Sequence, residues 1–152
     1  MSAIPEGMPT LIPSLSVKDA TKAIALYKQA FGATEDYCME DPKSGQVMHA
    51  CLTMGTSKIF VADEFPGCPV TSSSFYMYMP DVDTALDQAK KAGLKETMPV
   101  QDMFWGDRNG SVMDEFGINW CLATHKRDVS PEELEKGRDE WLAKMEKNVT
   151  AA

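Results

Sequence analysis

Several things are scarce in this chain, and each scarcity closes off a class of function. There are only two histidines, His49 and His125, among 152 residues. The four cysteines (Cys38, Cys51, Cys68 and Cys121) contain no Cys-x-x-Cys pair, which gives no support to a structural zinc site or a thioredoxin-like motif. They read as free thiols rather than a disulfide framework. Basic residues are outnumbered, with Lys+Arg 15 against Asp+Glu 23 and a net charge of −8. A nucleic-acid surface needs clustered lysine and arginine, so that partner is excluded, and attraction to anionic membranes gains no support. No apolar run approaches the roughly 18 residues of a membrane helix. Residues 1–9 lack the basic and apolar regions of a secretory leader and read as a short disordered lead-in. The expected location is cytoplasmic.

What the chain does have is a repeat. The segment from Val17-Lys18-Asp19 to Ala30-Phe31-Gly32 returns 62 residues later as Met79-Pro80-Asp81 to Ala92-Gly93. At that offset Asp19 matches Asp81, Ala23 matches Ala85, Lys28 matches Lys90, Ala30 matches Ala92 and Gly55 matches Gly117. A duplicated module of about 60 residues can pair with its copy and enclose a pocket between the two.

Periodicity predicts the same βαβββ order in each half. In the first, a strand at 11–17 leads to a helix at about 18–31, with Ala20, Ala23, Ile24, Tyr27 and Phe31 on one face. Gly32 suits a left-handed stop, and strands at 35–39, 46–54 and 58–63 follow. Residues 64–71, with two prolines and a glycine, read as the linker. In the second, a strand at 73–79 and a helix at 82–92 precede strands at 96–100, 110–113 and 118–124. The boundaries are a lead-in at 1–9, a paired domain at 10–126 with modules 10–64 and 72–126, and a helix with tail at 127–152. Ser130-Pro131-Glu132-Glu133 forms a capping box, and Leu134, Trp141, Leu142, Met145 and Val149 form an apolar stripe that packs on its own domain or on a second copy.

Side chains alternate along a strand. One row suits packing beneath the helices: Leu11, Pro13, Leu15 and Val17; Met48, Ala50, Leu52 and Met54; Phe75, Met77 and Met79; Ile118, Trp120 and Leu122. The opposite row carries Ile12, Ser14 and Ser16, then Ser74, Tyr76 and Tyr78, then Asn119, Cys121 and Ala123. Serines, tyrosines and a cysteine suit the lining of a cup with a few placed polar groups.

Tandem βαβββ modules resemble the vicinal oxygen chelate superfamily of glyoxalases, extradiol dioxygenases and bleomycin- and fosfomycin-resistance proteins, most closely its PhnB-like branch. The resemblance rests on Leu11-Ile12-Pro13-Ser14-Leu15, Tyr27-Lys28, Ala30-Phe31-Gly32-Ala33, Met48-His49-Ala50, Ala62-Asp63-Glu64-Phe65-Pro66, Phe104-Trp105-Gly106-Asp107-Arg108, Phe116-Gly117 and Ala123-Thr124-His125. It implies an α+β fold in which the two modules form a cupped eight-stranded mixed sheet, followed here by the C-terminal helix. A methyltransferase label carried by some members of the branch is discounted, because no glycine-rich nucleotide loop follows a strand. In metal-dependent members the ligands lie seven residues before the helix-opening Asp and four after the turn glycine. This points to Ile12, Ser74, Ile59 and Cys121. Isoleucine offers no lone pair, so the usual metal site is expected to be absent, with no cofactor in its place.

The expectation is a metal-free protein that binds a small organic ligand through Ser74, Tyr76, Trp105, Arg108 and Cys121 and that forms a homodimer. His49 is either an acid/base (the candidate catalytic residue) or a structural histidine, whereas His125 reads as structural. Trp105 and Arg108 either cover a ligand and fork a carboxylate or phosphonate, or serve the scaffold, with Arg108 paired to Asp107. Asp63 and Glu64 read as solvated rim residues. The alternative is a lyase, isomerase or resistance enzyme that holds a divalent metal at His49 with Glu64 or Asp63. The sequence does not decide whether the chain is an enzyme.

Overall fold

The computed structural model describes residues 3–150. Residues 1–2 of the lead-in and 151–152 of the tail lie outside it, as does the side chain of Val149, expected on the apolar stripe. The first module comprises β1 (Ser14–Val17), α1 (Ala20–Phe31), β2 (Thr34–Glu40), β3 (Val47–Met54) and β4 (Ser57–Asp63). The second comprises β5 (Ser73–Tyr78), α2 (Val82–Lys91), β6 (Lys95–Asp102), β7 (Asp107–Met113) and β8 (Ile118–His125), and α3 (Pro131–Thr150) ends the chain. The eight strands hydrogen-bond as two four-stranded mixed sheets, ordered β1-β4-β3-β2 and β5-β8-β7-β6. The fold is α+β, as the repeat implies.

Each helix begins where a carboxylate satisfies its first amides. Asp19 accepts from Lys22 N, and Asp81 from Asp83 N and Thr84 N. Gly32 then ends α1 at φ 67°, a conformation that costs glycine little. On α3, Ser130 Oγ accepts from Glu133 N while Glu133 accepts from Ser130 N, the reciprocal box expected from the sequence.

A single core spans both modules. Trp120, on β8, packs against Tyr27 and Phe31 of α1 at ring-centroid distances of 5.1 and 4.7 Å. Buried Asp114 clamps the junction. Its Oδ1 accepts from Phe116 N and Ile118 N, and its Oδ2 accepts from Tyr27 Oη and Trp120 Nε1. One face of each sheet is thereby committed to the shared core, and the opposite faces carry exposed Tyr37, Met39, Tyr76 and Tyr78.

Several expectations need correction. Strand β1 starts at Ser14, so Ile12 precedes the sheet, and Leu11 is 83% exposed rather than under a helix. Met48, assigned to the apolar row, is exposed because the β2–β3 register shifts between Met39 and Glu40. Strand β7 starts at Asp107, which puts Asp107 and Arg108 on a strand rather than in a loop. Asp63 is no solvated rim residue. It is buried, with Oδ1 accepting from Ala20 N at 2.8 Å and Oδ2 from Val47 N at 2.7 Å, and so pins the start of α1 to the start of β3.

Candidate functional site

The parallel pairings identify equivalent positions in the two modules. Ser14 pairs with Phe60, and Tyr76 pairs with Cys121. Since Ser14 and Tyr76 differ by the repeat offset of 62, the counterpart of Cys121 is Phe60, not Ile59. Ile59 is buried on the helix-facing side. The second module is one residue shorter between its first and fourth strands, since Ser14 to Phe60 spans 46 positions and Tyr76 to Cys121 spans 45.

The inward set at the family's ligand level is therefore Ser14, Phe60, Tyr76 and Cys121. It contains no carboxylate and no imidazole, and burial raises the Cys121 thiol pKa, which disfavours thiolate. This set does not fit a hard divalent cation. Asp63 drops out of the alternative set by parity. His49 lies beside Tyr37 and Phe60 on the open face, at ring distances of 5.5 and 4.5 Å. Asp63 lies on the opposite face with both oxygens engaged. Among the described residues no three His, Cys, Asp or Glu side chains converge to hold a metal.

What does converge lies on the open face of the second sheet. Tyr76 and Tyr78 of β5 donate to Asp107 Oδ2 of β7 at 2.8 and 3.0 Å. His125 Nδ1 meets Asp107 Oδ1 at 2.9 Å, and its Nε2 meets Asp128 Oδ1 at 3.1 Å. Asn109 Nδ2 donates to Tyr76 Oη at 3.2 Å, and Trp105 bonds to the same phenol. Burial would raise the Asp107 carboxyl, but the bonds from His125, Tyr76 and Tyr78 outweigh it and hold its pKa below the usual range. The hydrogen bond to Asp107, with a second to Asp128, raises His125. Burial raises Tyr76, and the bond to Asp107 raises Tyr78, so both phenols keep their protons at neutral pH.

Strand pairing joins Ser74, Tyr76, Cys121 and the network on one face; Ser74 Oγ accepts from Asn119 Nδ2 at 3.0 Å. Trp105 adjoins them and stacks edge-on against Phe104 at 5.0 Å. Arg108 does not join. It alternates with Asp107 and Asn109, faces α2, and makes a two-pronged contact with Asp83 at 2.8 and 2.9 Å plus one with Asp102 at 3.2 Å. Both expectations for Arg108, holding a ligand and pairing with Asp107, are corrected.

Sequence reasoning missed Asn109, the central place of Asp107, and Asp36. Asp36 alternates with Thr34 onto the open face of the first sheet, where it accepts from Lys58 at 2.6 Å and Thr53 at 2.8 Å, and the register shift between Glu35 and Tyr37 adds Tyr37 to the same face.

Two mixed βαβββ sheets, each with one face open and lined by placed polar groups, define a paired-module α+β fold. The profile of the Glyoxalase/Bleomycin resistance protein/Dioxygenase superfamily matches residues 11–122, and the chain belongs to that superfamily. Uncharacterised proteins of Mycobacterium bovis and Mycobacterium tuberculosis are 33% identical to it over 141 residues; these matches cover 84% of this chain and 90% and 81% of theirs. Among solved structures, TioX from Micromonospora sp. ML1 is similar, with TM-score 0.65 and 24% identity over 77% of this chain and 98% of that one. A PhnB protein from Bacillus cereus, described as a putative 3-demethylubiquinone-9 3-methyltransferase, gives TM-score 0.62 and 16% identity over 76% and 99%. The fosfomycin resistance protein FosX from Listeria monocytogenes gives 0.58 and 18% over 83% and 97%. At these identities the structures attest the fold alone.

Proposed function

We propose that this chain is a cytoplasmic small-molecule-binding protein that works as a homodimer and holds an organic ligand without the divalent metal used elsewhere in its superfamily. The observation that carries the reading is the inward set Ser14, Phe60, Tyr76 and Cys121, which offers a pocket wall rather than a coordination sphere. Ser74, Tyr76, Trp105 and Cys121 remain the ligand contacts, joined by Tyr78 and Asn109. The homodimer is supported by geometry: the two sheets turn their helix-side faces to one core, so a second copy can cover the exposed Tyr37, Met39, Tyr76 and Tyr78. Four free thiols suit a reducing cytoplasm. Sequestration of a toxic compound fits such a protein.

Sedimentation equilibrium and a thermal-shift screen of organic compounds test this together. The expected result is a dimer whose melting temperature rises with ligand, and whose Tyr76→Phe variant binds about tenfold more weakly for the loss of one charge-assisted bond. A monomer at micromolar concentration, with no stabilising compound, would count against the reading.

One observation favours catalysis instead. His125 is oriented through Nδ1 by a buried carboxylate, the arrangement of a general base, and its Nε2 is covered only by exposed Asp128. His49 has ring neighbours, Tyr37 and Phe60, and no such orienting group among the described residues. On this reading His125→Gln abolishes turnover of a bound compound; on the binding reading it changes affinity alone.

A further inference from the structure

On the open face of the second sheet a buried polar atom stands without a partner among the described residues. Asn109 is 2% exposed, and its Oδ1 is the buried side-chain polar atom without a partner among the described residues. Its orientation follows from its neighbours. Tyr76 has one proton and gives it to Asp107, so its oxygen can only accept from Asn109, and the amide must turn its NH2 to Tyr76. The unpaired atom is therefore the carbonyl, an acceptor. Leaving such an atom unsatisfied costs stability, which marks it as a place that a donor fills.

The register shows how a donor would arrive. Tyr78, Ala123 and Asn109 lie in one row across β5, β8 and β7. Both tyrosines start on β5 and bond to Asp107 on β7, so their side chains cross β8. Ala123 is 0% exposed, as expected beneath those rings. Tyr78 is 62% exposed and thus free to lift.

We propose that Asn109 Oδ1, in the cross-strand row it shares with Ala123 and Tyr78, is the subsite for an N–H or O–H donor on the ligand, reached when the Tyr78 ring lifts away from Asp107. The ligand class is an organic amide, amine or alcohol. Anionic groups are disfavoured, because Asp107 carries a buried negative charge, both His125 nitrogens face carboxylates, and Arg108 points to the other side. This rests on the binding reading above and narrows it.

The test is an NMR titration of the full chain, following backbone and side-chain amides, with benzamide, benzylammonium and benzoate, which share a ring and differ in the polar group. Benzamide or benzylammonium is expected to shift the Asn109 side-chain amide and Ala123, with benzoate weaker by about tenfold or more. Asn109→Leu should lose that preference, and Tyr78→Phe, which frees the ring from Asp107, should tighten benzamide. If Asn109→Leu fails to fold, Tyr78→Phe decides. Equal or tighter binding of benzoate overturns the subsite, as does an unmoved Asn109 signal while other open-face residues shift; either result leaves the binding reading standing. No shift on either open face with any of the three overturns both.

Discussion

At Asp107 three donors meet one carboxylate that is buried, and the balance of their effects fixes a pH signature. His125 has its pKa raised above the ordinary 6.5 by Asp107 and Asp128. Its contribution to stability is therefore full below about pH 6.5 and fades as pH rises through the raised value. Asp107, lowered from 3.8, contributes above that value and loses its contribution as pH falls through its folded pKa. Urea denaturation across pH should show the alkaline-side decline, and His125→Gln should flatten it; an unchanged profile would remove the ion pair from the account. Asp114 gives a second prediction. Replacing it with alanine strands two backbone amides, the Trp120 indole and the Tyr27 phenol, all in a buried junction. A loss of about 3 kcal/mol in the urea midpoint analysis is expected, and a loss below about 1 would mean that water replaces the carboxylate.

At the scale of elements, α3 is fixed by a contact that sequence alone conceals. A Cβ added at Gly137 would lie 2.6 Å from Phe104 Cβ, so the helix reaches the β6–β7 loop because that residue has no side chain. Gly137→Ala should gain about 1 kcal/mol of helix propensity yet displace α3, because Phe104 Cβ is fixed at the root of its side chain and cannot yield by a rotamer change. Faster proteolysis within 131–150 in the variant is the expected outcome. Unchanged cleavage with raised stability would show that the contact is dispensable. Element order and both helix starts were legible because Asp19 and Asp81 stand at the same repeat position and each caps a helix. Side-chain facing was less legible. A second module one residue shorter between its first and fourth strands moves the counterpart of Cys121 from Ile59 to Phe60, and a register shift adds Tyr37 to the open face beside Asp36. Each is a one-residue event, and along a strand one residue reverses the face. Hence Arg108 and Asp63 were misplaced, whereas Ser74, Tyr76 and Cys121 share the face expected of them.

At the scale of the molecule, one core serves both modules and leaves two polar-lined faces for use. The chemistry of those faces, phenols on a carboxylate and an unpaired amide oxygen, is that of recognition by hydrogen bonds. The most direct measurement is metal content by mass spectrometry of protein purified without chelators or an affinity tag, soaked in Zn, Mn, Ni and Fe(II) and desalted. The account predicts far less than one equivalent per chain for every metal, since Phe60 and Ser14 stand where ligands would be needed. Near one equivalent of any of them, retained through desalting, would contradict it.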